Sequence, residues 1–260
     1  MLNVFRHIGV IATISMLENA RKQIFHVLML FALTLLACAV LLGRFGHDVQ
    51  IQTIKDMCSA VIQISASLIA ITLSVTGIPQ EIEQKTAYPV LAKPLDRWEF
   101  VVGKYLGTMG AVAIGIVILA ATFCVVLLGY AHTVDPGLLL VLPYILLEAA
   151  LLAAVGLLLS TLASPPLAWF LGAFIYCLGS AKFGIYAYLT GGHEANLVSK
   201  AVGTAIYHLL PNLECFNFKE ALVHHLPVPA GYLVQTALYA VLYTAAVLTV
   251  ASYSFSRKEL

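Results

Sequence analysis

Long apolar stretches separated by short polar links run through almost the whole chain. Six of them are near or above the roughly 20 residues that a helix needs to cross the hydrocarbon core of a membrane. We place these predicted spans at Ile24–Leu42, Cys58–Ile78, Tyr105–Tyr130, Leu138–Leu162, Leu167–Thr190 and Ala230–Tyr253. The fifth contains Lys182, which must either reach the membrane surface or mark an earlier end of the helix. The pattern predicts an all-α integral membrane protein with a single transmembrane domain over residues 1–260.

Residues 1–22 come before the first span and follow a different pattern. Apolar residues recur there at three- and four-residue spacing, as on one face of a helix: Val4, Ile8, Ile11, Ile14 and Leu17. Polar residues flank this face, so we expect an elbow helix that lies in the membrane interface. A cleaved signal peptide is the alternative, but only Arg6 precedes the apolar stretch and no convincing cleavage site follows before Arg21.

The link between the second and third spans, Gln80–Lys104, holds an unusual concentration of charge. Its four acidic and four basic residues are Glu81, Glu83, Asp96, Glu99, Lys85, Lys93, Arg97 and Lys104. Pro89 and Pro94 disfavour helix in the residues before them, so we expect two short helices with a break. The second helix has Asp96 three residues before Glu99, a spacing similar to a capping box. The pattern indicates a polar surface between two membrane spans.

In the segment from Gly191 to Pro229, before the last span, apolar residues recur too regularly for a plain loop. One amphipathic helix is predicted from Val198, Val202, Ile206 and Leu209, and a second from Phe218, Ala221 and Leu222. We expect both to lie on the outer membrane face. The polar residues of this segment are His208, Glu214, Lys219, Glu220, His224 and His225. They suggest a metal or gating site, but no spacing matches a recognised ligand set, so we interpret them as solvated helix faces and predict no metal site.

The cysteines give no sign of a disulfide framework or a zinc site. There are five, Cys38, Cys58, Cys124, Cys177 and Cys215, widely scattered and without a C-x-x-C pair. We interpret Cys215, next to Glu214, as a buried thiol rather than a copper ligand.

Glu148 is the one acidic residue deep inside a predicted span. It lies roughly ten residues from the outer end of the fourth span, near the middle of the membrane, where an ionisable group is costly. One interpretation is a protonated or hydrogen-bonded carboxyl that ties helices together. The alternatives are a place on a substrate path or at a subunit interface.

Composition and charge support a membrane protein and suggest its orientation. Hydrophobic residues make up 61% of the chain and charged residues 10%, with a mean hydropathy of +0.93. A net charge of +1 gives no reason to expect nucleic-acid binding. With both termini in the cytoplasm, nine Lys and Arg residues lie inside and five outside, which favours this orientation.

The absence of several catalytic motifs reduces the number of functions to consider. The chain has no G-x-x-x-x-G-K-[ST] phosphate loop, so it is not expected to hydrolyse ATP itself. It also lacks H-E-x-x-H and G-x-S-x-G, which disfavours a membrane enzyme. A non-transporting scaffold or sensor moved by an ATPase remains an alternative to a transporter.

The charged link carries a family resemblance. Glu81, Glu83, Thr86, Leu91, Pro94, Arg97, Gly103 and Lys104 follow an order that resembles the segment between the second and third spans of ABC-2 type exporter permeases, including those similar to copper-enzyme maturation permeases. The family often has Gly before the Thr, where this chain has Lys85. The layout of the spans extends the resemblance over the whole chain.

The resemblance implies a permease subunit that moves a substrate by alternating access. It also implies outward transport, as in an exporter, and a location in a bacterial inner membrane. Its partners would be cytoplasmic ABC ATPase subunits, a second permease chain (a second copy or a paralogue) and membrane lipid. No cofactor is expected on this chain, because ATP and Mg²⁺ would be bound by the ATPase. The coupling surface would comprise Glu81, Glu83, Thr86, Leu91, Pro94, Asp96, Arg97, Glu99 and Lys104.

Overall fold

The structure is a computed structural model that describes residues 2–43, 50–83, 97–131, 137–191, 203–204, 207, 210–218 and 228–257. Its α-helices are α1 (Leu2–Arg21), α2 (Gln23–Gly43), α3 (Gln50–Glu83), α4 (Arg97–Ala131), α5 (Gly137–Leu162), α6 (Pro165–Ser180), α7 (Lys182–Gly191) and α8 (Ala230–Ser256). A 3₁₀ turn, Glu214–Phe216, lies before α8 in the chain. The described residues form no β-strand.

Five of these helices are long and apolar enough to cross a membrane, in agreement with five of the predicted spans. Their crossing segments are Gln23–Leu41, Ile51–Gln80, Trp98–Gly129, Leu140–Leu162 and Ala230–Ser256. The second starts well before the predicted Cys58, because Ile54 and Cys58 are both fully buried in the bundle. Pro79 lies inside α3, and the helix continues past it to Glu83.

The fifth predicted span, Leu167–Thr190, is not one straight helix. Its first part, α6, ends at Ser180, and α7 leaves it at an angle of 68°. The Lys182 ammonium explains this end, since it donates a hydrogen bond to the Leu210 carbonyl at 3.0 Å instead of extending into lipid. The described residues therefore contain six spans if the bent pair is counted as one.

Contacts between helix ends show which way the chain runs. Near the starts of α5 and α8, the Tyr144 hydroxyl donates to the Leu233 carbonyl at 3.0 Å. Near their ends, the Thr161 hydroxyl donates to Ser254 at 3.2 Å. The two helices run in the same direction, so the chain between them must return across the bundle, and α6 follows this return path.

The core is organised around α3. The crossing segment of α3 is 78% buried and packs against α2, α4, α5 and α6. By contrast, the segments of α2 and α8 are 28% and 17% buried and expose large apolar side chains, among them Leu30 and Val234. Outward-facing apolar surface of this kind is what a helix in contact with lipid requires.

The N-terminal helix α1 packs along the first half of α4, in the same direction. Two α4 glycines make this contact possible: a Cβ added at Gly103 would lie 2.7 Å from Ile11 Cγ2, and one at Gly107 would lie 2.5 Å from Ser15 Cβ. Small residues spaced four apart let two helices approach closely in a membrane protein. The opposite face of α1 exposes Val10 and Ile14.

Gly107→Ala is expected to lower the stability of the protein. The added methyl would also lie 2.7 Å from the Ala12 carbonyl oxygen, which is backbone and cannot rotate away. Forced overpacking costs about 1–3 kcal/mol. Thermal unfolding in detergent measures the change.

Gly129→Ala is the matched control on the same helix, because a Cβ there has nothing within 4 Å. It should be neutral or stabilising, since Ala is the better helix former by about 1 kcal/mol. Equal melting temperatures for the two variants would contradict the close α1–α4 contact.

Candidate functional site

The predicted coupling residues fall at two helix ends and in the link between them. Glu81 and Glu83 lie in the last turn of α3, and Arg97 is the first residue of α4. The rest of the link, with Thr86, Leu91, Pro94, Asp96 and the predicted break, lies outside the described residues. The link therefore joins the end of α3 to the start of α4.

Both helices are longer than a membrane requires. With 34 and 35 residues, α3 and α4 are each about 50 Å long at 1.5 Å per residue, against a hydrocarbon core of about 30 Å. At the link end, Phe100 of α4 stacks on Phe255 of α8, with ring centroids 5.6 Å apart. Movement of the link would thus act directly on α3, α4 and α8.

Two of the predicted coupling residues are buried against α1. Glu99 is 3% exposed, and its Oε2 lies 3.3 Å from Nδ1 of His7. Lys104 is 5% exposed, and its ammonium donates to Glu18 Oε2 at 3.3 Å. These side chains hold α1 on α4, and their assignment to an ATPase interface stays a prediction.

Glu18 is the centre of a small charged cluster on α1. Its carboxylate lies 3.3 Å from the ammonium groups of both Lys104 and Lys22. Burial by itself raises the pKa of Glu18, but the charges and hydrogen bonds of the two lysines outweigh it and hold the pKa below its usual value. The carboxylate thus stabilises α1 at neutral pH, and this contribution is lost when the pH falls below the ordinary carboxyl range.

A neutral hydrogen bond extends this contact. The Asn19 amide donates to the Thr108 hydroxyl at 3.2 Å, and Asn19 is buried. Sequence reasoning missed the attachment of α1 to α4. The available signal was the group Glu18, Asn19 and Lys22 at the end of an otherwise apolar helical face.

Glu148 is fully buried within one chain, between α5 and α3. The Gln63 side-chain amide of α3 donates to Glu148 Oε2 at 2.6 Å. One turn further along α3, Ser67 lies close to Tyr176 of α6, and Tyr176 is close enough to Glu148 for electrostatic interaction. The geometry favours a hydrogen-bonded carboxyl that ties α5 to α3, while a place on a substrate path stays a prediction. Gln63, a polar residue inside a predicted span, was the sequence signal for this pairing.

The segment before α8 is described at residues 203–204, 207 and 210–218, so most of its two predicted amphipathic helices lie outside the described residues. Phe218, predicted in the second helix, is in non-helical backbone and buried against Tyr144, with ring centroids 4.5 Å apart. Leu213 and Phe216 are also buried. Residues 210–218 therefore insert into the bundle between α5, α6 and α8.

Cys215 is half-buried, as its apolar neighbours suggest, and its thiol donates to the Asn212 carbonyl at 3.1 Å. Burial raises the pKa of Cys215 to about 11. Of the six polar residues considered above for a metal or gating site, only Glu214 is among the described residues, and its side chain is exposed.

Several membrane-length helices with outward apolar faces, tied by buried polar pairs, define a polytopic α-helical membrane protein. The chain belongs to the ABC-2 family of transporter proteins, whose family model matches residues 3–260. A search of curated proteins found no match. Membrane components of the ABC-2 family generally work with ABC ATPases.

The Gln63–Glu148 pair gives a prediction about stability. Glu148→Ala should lower the free energy of unfolding by about 1–3 kcal/mol, because it leaves the buried Gln63 amide without this acceptor. Glu148→Gln keeps an oxygen acceptor and should cost clearly less. Thermal unfolding of both purified variants in detergent makes the comparison.

The double variant Gln63→Leu/Glu148→Leu is the control, since replacing both polar partners by apolar groups is often nearly neutral. Equal losses in Glu148→Gln and Glu148→Ala would argue against a hydrogen-bonding role. If Glu148→Gln is stable and fully assembled but no longer transports, the charge of the Glu148 carboxylate lies on the substrate path.

Proposed function

We propose that this chain is the permease subunit of an ATP-driven ABC exporter, powered by a separate cytoplasmic ATPase that binds the link between α3 and α4. The observation that carries the proposal is the continuity of α3 and α4, each about 50 Å long, from the membrane into the two ends of the charged link. Family membership supports the pairing with an ATPase.

The link is suited to transmit movement. ATPase closure would push on residues 80–104, and α3, which reaches Glu83, and α4, which starts at Arg97, would carry the push into the bundle. Because α1 is held to α4 by Lys104–Glu18 and by close helix contact, α1 would move with α4. The result is a rigid-body tilt of the kind that supports alternating access.

A second permease chain is part of the proposal. The single chain buries Glu148 inside its own bundle, which favours a transport path between two chains. The exposed apolar faces of α2 and α8 offer surface for such a partner and for lipid. Export follows from the resemblance of the link to exporter permeases.

Reversal of Glu81 and Glu83 to Lys in one variant should release the ATPase from the detergent-extracted complex and leave the permease inserted. Each exposed ion pair contributes less than about 1 kcal/mol, so single reversals should be mild and the double reversal strong. Copurification and permease-stimulated ATP hydrolysis are the measurements.

Asp135→Lys is the matched control, because it reverses an acidic residue in the link at the other end of α4. It should retain the ATPase. Undiminished copurification in the Glu81→Lys/Glu83→Lys variant would remove these residues from the interface and leave the ATPase contact unassigned.

The proposal also requires residues 80–104 and both termini to be cytoplasmic. In a background without the five native cysteines, Lys93→Cys should resist an impermeant thiol reagent in intact cells, whereas Asp135→Cys should react. After cell lysis, Lys93→Cys should react as well. Labelling of Lys93→Cys from outside would reverse the orientation.

A further inference from the structure

A cleft lies at the end of the bundle opposite the α3–α4 link. It has a volume of about 300 Å³ and is formed by the start of α7, residues 212–215 and the start of α8. Its lining includes Lys182, Phe183, Tyr207, Glu214, Cys215 and Tyr232. This volume is at the lower limit of small-molecule sites, which take about 300–1,000 Å³, so it has room for a headgroup but not for a large solute.

Lys182 places a buried positive charge in this cleft. The residue is 8% exposed, donates to the Leu210 carbonyl at 3.0 Å and lies 4.6 Å from the centre of the Tyr207 ring. Among the described residues no carboxylate lies within 4.0 Å of its ammonium. An ammonium has three N–H donors, and the carbonyl and the ring engage two of them. A buried charge without a counter-ion is costly, so the third donor favours an anionic group in the cleft.

Glu214 gives the same cleft a negative charge at a different position. Its side chain is exposed and lines the cleft together with Tyr232, but it forms no ion pair with Lys182. A ligand with one anionic and one cationic group would neutralise both residues. A purely anionic ligand would bring its charge near Glu214.

An exposed aromatic ring borders the cleft. Phe183 lines it and is 63% exposed, and Tyr188, further along α7, is 84% exposed. Exposed aromatic rings near the end of a span are typical of the membrane–water interface. A ligand seated on Lys182 and Glu214 could therefore extend hydrocarbon chains along α7 into the bilayer.

We propose that this cleft binds the headgroup of a zwitterionic phospholipid that carries a primary ammonium group. The phosphate binds the Lys182 ammonium, the lipid ammonium binds the Glu214 carboxylate, and the acyl chains pass over Phe183. The site is independent of the ATPase and of the direction of transport. It lies on the bent helix pair and the inserted segment, so a bound lipid links these two elements.

The test uses the purified full chain in detergent with short-chain phospholipids. Titration with phosphatidylethanolamine, followed by thermal shift and native mass spectrometry, should show saturable binding that is at least tenfold weaker in Lys182→Gln. Glu214→Gln should retain binding and lose the preference for this lipid over phosphatidylglycerol. Arg257→Gln, which removes an exposed basic residue at the opposite end of the bundle, should bind as the wild type does.

A second measurement, protection of a cysteine by bound lipid, keeps Lys182 in place. It therefore does not depend on whether Lys182→Gln folds. In a chain with Cys215 as its only cysteine, saturating lipid should slow modification of this thiol by a methanethiosulfonate reagent several-fold. Unchanged modification, or equal binding of phosphatidylethanolamine and phosphatidylglycerol by the wild type, would overturn the proposal. Full protection by inorganic phosphate or phosphoethanolamine alone would reduce the site to a free-anion or small-solute site and also overturn it.

Discussion

A polar side chain buried in a membrane bundle must find its partner within the protein, and this requirement is most severe on α3. Gln63 and Thr72 both lie on this central helix, facing other helices rather than water. Gln63 donates to Glu148 of α5, and Thr72 accepts a hydrogen bond at 3.0 Å from the Trp169 indole of α6. These bonds fix the rotation of α3 relative to two neighbouring helices. Dispersion contacts between apolar side chains would fix this rotation much less sharply.

Close packing reinforces the same arrangement. A Cβ added at Gly156 of α5 would lie 2.2 Å from Ser74 Oγ, and one at Gly172 of α6 would lie 2.9 Å from Ile71 Cγ2. Ser74 satisfies its own hydroxyl with the Ala70 carbonyl at 2.7 Å, so it can face a neighbouring helix without a partner there. The middle of the bundle is thus held by matched shapes as well as by hydrogen bonds, and motion is more easily accommodated at helix ends.

The two ends of the bundle differ in character. At the link end, α1 is attached to α4 by ion pairs and glycine contacts, and the charged link joins two long helices. At the other end, the chain bends at Ala181 and residues 210–218 insert between helices, next to a cleft with separated charges. A force applied at the link would reach the cleft end through α3, α4 and the parallel pair α5 and α8.

Hydropathy alone was sufficient to predict a membrane protein and to locate five of its spans, because a stretch such as Leu138–Leu162 is too apolar for any other environment. The charged link and the absence of a phosphate loop likewise followed from residue type and order. The break in the fifth span could be anticipated at Lys182 but not its 68° angle, because that angle depends on the Leu210 carbonyl, which is distant in sequence.

The sequence could not show which polar residues contact one another. Gln63 finds Glu148, and Lys104 finds Glu18, across sequence separations of more than 80 residues, and only the packing of helices brings such pairs within hydrogen-bond distance.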